Sequence, residues 1–579
     1  MNGPTAIRAF ATSLAVTSLV CAAAACNGAA ATSAKARPGA SRSAHGKGAA
    51  RLPAAAATRQ PSAAVEVLPA TAPDTATADL VRTLFTTAPV VVVAASPKTS
   101  TPAVTPTPAV TPTPAATLKS PATAKPATTA KSPTTAKAAK AATIATTANA
   151  SEAANASTAD PVKEAAAVAR ASHAPLLLAS SVTAQLTATV KALHPRAVLA
   201  IGLPAGDLSA KLPGIRVTTR AAQLPATGTP AKLDHVTILA DDKNGKDDDD
   251  NDSAIAATAA AAGAAVVDVN GGDPCTDPAA IKSLTRLHPA AVVGMGSQFG
   301  TSVLLGNRLA VAETGRQLPG GGQVMFPGHR LVALYGHPGT PSLGALGQQD
   351  LGASVARARK MASEYRSLSG VPVVPAFEII ATVAEGSPGP NGDYSYETPV
   401  SQLKPWVRKA TDDGIYVVLD LQPGRASLLD QAKRYQSLLE QPNVGLALDP
   451  EWKLQPGQVP LQQIGHVDIG EVNSVISWLA GLTARNHLPQ KLLVLHQFRS
   501  SMINGEGRLA TGNDDLAIVL HMDGQGSPGD KQETWNAVIG GAPRGVFFGW
   551  KNFFVKDTPM INPRATMDRD PAPVMISYQ

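Results

Sequence analysis

The chain has 579 residues, with 50 Lys and Arg against 43 Asp and Glu for a net charge of +7, 44% apolar residues, 48 Gly, 48 Pro and three Cys. That length exceeds what one hydrophobic core normally serves, so more than one domain is expected. Of the three cysteines only Cys275 lies beyond the first 26 residues, so a disulfide framework is excluded if Cys21 and Cys26 are processed, and the Lys-rich stretches carry no interleaved aromatics on which bases could stack, which argues against nucleic acid as a partner.

Arg8 precedes an apolar stretch, 9–20, and then small residues lead to Cys26. This reads as a secretory signal over 1–25, too short and too Ala-rich for a spanning helix. Ala23-Ala24-Ala25-Cys26 resembles the lipobox of bacterial lipoproteins. The resemblance implies lipidation of Cys26, with the secreted protein anchored to the outer face of the cytoplasmic membrane or cell wall; cleavage without lipid is the alternative. Segment 26–73 is mostly Ala, Ser, Pro, Lys and Arg without periodicity, and 97–157 is mostly Ala, Thr, Pro and Lys. Both are expected to be disordered, the first as a linker and the second as an insert. The run TPAVTPTPAVTPTPAAT is a semi-extended spacer. Between Asn27 and Asp160 there are thirteen Lys and Arg against five Asp and Glu, so the basic balance belongs to this tail and suits an anionic envelope.

Between and beyond these stretches, strands alternate with helices, the signature of parallel βαβ units. ADLVRTLFTTAPVVVVAAS (78–96) is an island of helix and strand whose partners must lie past Asp160, where PVKEAAAVARAS, APLLLAS, SVTAQLTATVKALHP and RAVLAIG follow. The order returns with HVTILAD, an acidic loop (243–252), SAIAATAAAAG, AAVVDVN, DPAAIKSLTRLHP and AAVVGMG. KALHPRAVLAIG and TRLHPAAVVGMG align without a gap. This pattern resembles the cell wall binding repeat type 2 family, which implies a module over 74–304 that holds its protein to an anionic cell-wall polymer or peptidoglycan. The Asp247–Asp250 run lacks the Gly and closing Glu of an EF-hand and is expected to be a solvated loop. His194-Pro195 and His288-Pro289 recur where helix gives way to strand, as turn chemistry.

A Gly/Pro-rich stretch over 305–328 reads as a linker, after which the composition changes. From 329 to 579, apolar runs at 331–335, 371–380, 415–421, 444–448, 491–496, 516–521, 545–549 and 573–577 predict eight strands, with amphipathic helices between most of them. The expected fold class is therefore α/β: N-terminal parallel βαβ repeats and a C-terminal (β/α)8-type barrel, with disordered Ala/Thr/Pro-rich segments. Gaps after the fifth and seventh strands leave room for short helices only, so a seven-stranded or distorted barrel is the alternative.

Polar residues cluster where these strands stop, which is where barrels place their chemistry. Asp449 and Glu451 end the run VGLALDPEW; two apart on an extended strand, they would share a face with Cα atoms roughly 7 Å apart. Glu378 is the further catalytic candidate. Asp420, His337, His496, His521 and Asp523 are expected to bind substrate, with Trp452, Trp550 and Tyr394 as stacking platforms for a sugar. GLALDPE resembles the strand-four signature of family 18 glycoside hydrolases, which implies Glu451 as the acid and Asp449 as its support. No HxH or HExxH spacing appears, so no metal is expected, nor any cofactor. Two readings follow: an envelope-anchored enzyme acting on a glycan, or a protein using the same rim to bind a saccharide without turnover.

Overall fold

The computed structural model describes residues 55–96, 160–241 and 250–579. The signal segment with Cys26, the linker up to residue 54, the insert 97–157 and residues 243–249 of the acidic loop lie outside the described residues. Asp250 to Asp252 open a helix, Asp250–Ala262.

Val90–Ala95 has six small or β-branched apolar residues in a row, the composition of a strand buried on both faces. It takes the centre of a four-stranded parallel sheet: Val92 lies opposite Leu176 on one side and Leu199 on the other, with Arg216–Thr218 at the far edge. The second sheet has Val236–Ala240 beside Ala265–Asp268 and Ala291–Met295. Its far edge is Val65–Leu68, which pairs in parallel with Ala291–Met295 from the other end of the domain. The two sheets thus share one strand order, and the first unit's last strand is matched in the second by a strand from the start of the described chain. His194 and His288 sit at equivalent places, and both adopt the left-handed conformation that ends a helix.

Two boundaries expected from the sequence are corrected. Residues 55–72 belong to the folded body, not to a linker; they supply Ala57–Thr58 and the sheet-closing Val65–Leu68. Residues 305–328 are no linker either, since Ser302–Ala312 is a helix with Leu305, Leu309 and Ala312 buried. The segment after it carries Leu318, Met325 and Phe326 into the lower end of the barrel.

The eight expected barrel strands are all present: β1 (Arg330–Gly336), β2 (Val373–Ala384), β3 (Tyr416–Leu421), β4 (Val444–Leu448), β5 (Lys491–Gln497), β6 (Leu516–Met522), β7 (Phe547–Asn552) and β8 (Met575–Tyr578). Each is parallel to its neighbours, and β1 pairs with both β2 and β8, so the barrel closes. Helices α1 (Leu351–Tyr365), α2 (Val400–Asp412), α3 (Leu428–Arg434), α4 (Ile469–Arg485) and α5 (Pro528–Gly541) cover it. After β5 there are short 3₁₀ turns and a two-residue strand, Ile503–Asn504, but no α-helix, and after β7 the five-residue α6 (Pro563–Met567).

Side chains alternate across a strand, so every second residue faces the barrel axis. Leu331, Ala333, Val374, Ala376, Tyr416, Val418, Ala447, Leu492, Val494, Ala517 and Val519 fill the lower layers. Gly445 is bare because a Cβ there would lie 2.5 Å from the Leu492 carbonyl and 2.9 Å from the Tyr416 hydroxyl. Continuing upward by twos along each strand brings Tyr335, Glu378, Asp420, Asp449, His496, His521, Lys551 and Ser577. The interior changes from apolar to ionisable toward its C-terminal end.

Candidate active site

The upper layer opens into a cavity of about 570 Å³ whose wall includes Tyr335, Asp449, Glu451, Trp452, Asp523 and Lys551. Beta-strand β4 stops at Leu448, and Pro450–Trp452 form a 3₁₀ turn. Proline fixes φ near −65° and starts such a turn readily, so Asp449 and Glu451 do not share the extended strand expected for them. The turn nevertheless gathers them: an oxygen of each, and one of Asp523, lie within 4.8 Å of one another.

Beneath the cavity lies a chain of polar contacts. Asp523 Oδ2 is 3.1 Å from the Lys551 ammonium and 3.2 Å from His496 Nδ1. His496 Nε2 meets Glu378 Oε1 at 2.9 Å. Tyr335 donates to Asp420 Oδ2 at 2.7 Å, and Lys551 Nζ lies 3.6 Å from the centre of the Tyr335 ring. His521 Nε2 is 3.2 Å from Ser577 Oγ. Asp449 Oδ1, Asp420 Oδ1 and Glu378 Oε2 are buried without a hydrogen-bond partner among the described residues.

These surroundings push like groups apart. Burial, then the charge of Asp523, raises Glu451 to about 7. Burial, then Glu451 and Asp420, holds Asp449 well above the usual carboxylate range. Burial lifts Asp420 to about 6, against the pull of His496 and the Tyr335 hydrogen bond. At Asp523 burial acts in the same direction, but Lys551 and His496 overcome it and hold the carboxyl well below its ordinary value. His496 is kept charged because Glu378 and Asp523 outweigh its desolvation. Burial drives His521 down to about 3, so it stays neutral.

The expected residues separate into groups. Asp449, Glu451, Trp452 and Asp523 reach the cavity. Glu378, Asp420, His496 and His521 are fully buried and are not part of its wall. Glu378, expected in a catalytic role, meets His496 and does not line the cavity. His337 is turned aside after Gly336, whose φ of 146° ends the strand, and its two nitrogens meet Thr340 and Thr398 hydroxyls. Tyr394 stacks under Arg425, 4.3 Å from ring centre to guanidinium carbon.

Trp550 is corrected as a sugar platform. It follows Gly549 and precedes Lys551, both on the inward parity, so it faces outward, packs on Trp535 of α5 at 5.5 Å and donates to Asn552 Oδ1 at 2.8 Å. Phe498 and Phe553 line the cavity instead. Lys551 belongs to the polar cluster expected at the strand ends, though without an assigned role, whereas Tyr335 is a central residue that lay outside it; counting by twos up each strand would have placed both inward.

The spacing of Asp449, Glu451 and Asp523 would also suit a divalent cation. Here Lys551 already supplies positive charge to Asp523. Among the described residues no helix is long and apolar enough to cross a membrane. No family model matches the chain, and no curated protein matches it either.

Proposed function

We propose that the barrel is a glycoside hydrolase in which Glu451 is the acid and Asp523 its ionised partner. One observation carries this: two carboxyl groups within 4.8 Å across one cavity, one raised to about 7 and the other held well below the usual range. Such a pair separates the acid from the base at neutral pH. The short separation suits retention, since a retaining pair stands roughly 5 Å apart and an inverting pair farther. In the first step Asp523 attacks the anomeric carbon through Oδ1, while the bond to the leaving oxygen breaks and Glu451 protonates that oxygen. In the second, Glu451 takes a proton from water, which displaces Asp523 and releases the sugar. Asp449 supports Glu451, the roles that the resemblance to family 18 implies for these two residues, and Trp452 and Phe498, both half-buried on the cavity wall, offer faces for sugar rings.

The N-terminal half fits the second part of the reading: a secreted, Cys26-lipidated protein held to anionic wall polymer by two repeats. Two parallel sheets of one strand order, with the matched HP turns at equivalent places, support it. Labelled fatty acid should enter the wild type and not Cys26→Ala.

The catalytic reading is tested by screening the full chain against wall and extracellular glycans. Glu451→Gln and Asp523→Asn should each lose on the order of a hundredfold or more in kcat. Wild-type rates in both variants would remove Glu451 and Asp523 from the chemistry. Tight saccharide binding with no turnover of any glycan would favour the binding protein, a reading that draws on the engagement of Asp523 Oδ2 by Lys551.

A further inference from the structure

Arg499, in the turn after β5, and Lys556, on the loop after β7, have no part in the proposed chemistry, yet both line the cavity. Asp523, after β6, lies between them in strand order. Cations on neighbouring elements are engaged: Lys453 with Glu471 at 2.9 Å, Lys531 with Asp557 at 2.8 Å and Lys551 with Asp523. Arg499 and Lys556 belong to no ion pair among the described residues. What each has instead is an aromatic ring of the cavity wall. The Arg499 guanidinium lies 5.7 Å from the centre of Phe498, and the Lys556 ammonium 5.6 Å from that of Phe553.

The loop presenting Lys556 is pinned. Asp557 Oδ2 accepts from the Phe553 amide at 2.9 Å and from Lys531 at 2.8 Å, and Asp557 is buried. The charge of Lys556 is felt at Glu451, where it favours the carboxylate.

A neutral sugar would need a ring face and hydroxyl partners, which Trp452, Phe498 and the carboxyl groups already offer. Two unpaired cations beside those faces suit something more. Lys551 offsets the charge of Asp523, so any ionised Glu451 is what would oppose an anionic ligand, and the exposed cations Arg499 and Lys556 favour one. An Arg and a Lys on one cavity wall can grip a carboxylate or a phosphate while a neighbouring ring stacks on the sugar. We propose that the cavity takes an acidic glycan, one whose sugar next to the scissile bond bears a carboxylate or a phosphate held by Arg499 and Lys556. The substrate class rests on the hydrolase reading; the anion subsite rests on the two cations.

The test measures binding to the full-length Glu451→Gln protein, which cannot protonate the leaving group. Probes are an oligogalacturonate, its carboxyl-reduced neutral counterpart and a phosphate-bearing oligosaccharide. At least one acidic probe should bind about tenfold tighter than the neutral one, and whether it is the carboxylate or the phosphate identifies the anion. That preference should fall to within about twofold in a variant that also carries Arg499→Gln and Lys556→Gln, and near 1 M salt. Both side chains are exposed, so their replacement leaves the fold intact. Equal binding of acidic and neutral probes, no binding of either acidic probe, or a preference that survives the double replacement overturns the proposal. The two readings fail separately. Wild-type turnover of neutral glycans, lost in Glu451→Gln, with no acidic preference leaves the hydrolase and removes the subsite. An acidic preference with no turnover of any glycan leaves the subsite and removes the hydrolase.

Discussion

Lys551 is 2% exposed at its side chain and holds Asp523 ionised from within the barrel. Lys551→Met removes that charge, so the Asp523 carboxyl should rise toward its ordinary range. The wild-type profile of kcat/KM should fall as pH rises through about 7, where Glu451 gives up its proton, and fall again only well below the usual carboxylate range. In Lys551→Met the acid limb should move up and narrow the profile, whereas an unmoved limb would show that Lys551 does not set it. Since Lys551 already neutralises Asp523, chelation with EDTA should leave the rate unchanged; a loss restored by a divalent cation would make the three carboxylates a metal site. Asp449 gives a stability test. Its folded pKa is raised, so between the unfolded value near 4 and the folded one the native state binds the extra proton, and stability from this group is lost as pH rises. Asp449→Asn removes the titration, so the variant's Tm minus that of the wild type should increase from pH 4 upward. Much of this site was legible: Asp449, Glu451 and Asp523 stood out as acids where apolar runs end. The misplacement of Trp550 came from ranking residues by type, because its neighbour Lys551 holds the inward position and the strand's period of two excludes both.

At the scale of elements, an edge strand must do something with its unpaired amides. Leu176–Ala179 is the edge of the first sheet, and two helices reach it. The Leu178 amide donates to Thr77 Oγ1 at 3.0 Å, and the Leu176 amide donates to Thr258 Oγ1 at 3.1 Å while that hydroxyl donates to the Leu176 carbonyl at 3.2 Å. Thr258 belongs to Asp250–Ala262, the helix between two strands of the second sheet, so an element of one sheet's unit seals the edge of the other. Thr258→Val keeps the shape and strands a buried amide, at a cost of roughly 1–3 kcal/mol. The measurement is denaturant unfolding with hydrogen exchange at Leu176; an unchanged midpoint and unchanged protection would mean the contact contributes nothing. Most of the barrel strands were legible because they are apolar runs of five residues or more in a series with helices between them. Val65–Leu68 was not: it is four residues between prolines, half-buried for three of them, and its identity as a strand resides in a partner more than two hundred positions away. Ser302–Ala312 was hidden by the Gly/Pro-rich segment that follows it.

For the molecule as a whole, the pairing of Val90–Ala95 with strands on both sides past Asp160 makes 97–157 a detour within one folded unit. Replacing 97–157 by a short Gly/Ser bridge should leave Tm within a few degrees, since closure entropy changes slowly with loop length. Removing 79–95 takes out a central strand and should abolish the cooperative transition, and equal tolerance of both deletions would refute the divided repeat. The closing strand of the second sheet has a mechanical meaning as well. The Val292 amide donates to the Ala64 carbonyl at 2.8 Å and the Gly296 amide to that of Leu68 at 2.7 Å, bracketing Val65–Leu68 along its length. Tension applied upstream of residue 55 first loads Ala57–Thr58, held to Phe85–Thr87 by a short antiparallel pairing, and only when that parts does it reach Val65–Leu68 at the edge of a sheet, a strand whose bonds resist together when pulled lengthwise and one by one when peeled. A tether on that side would make these two strands fuses in series, and the direction of pull would decide the load at which the second parts.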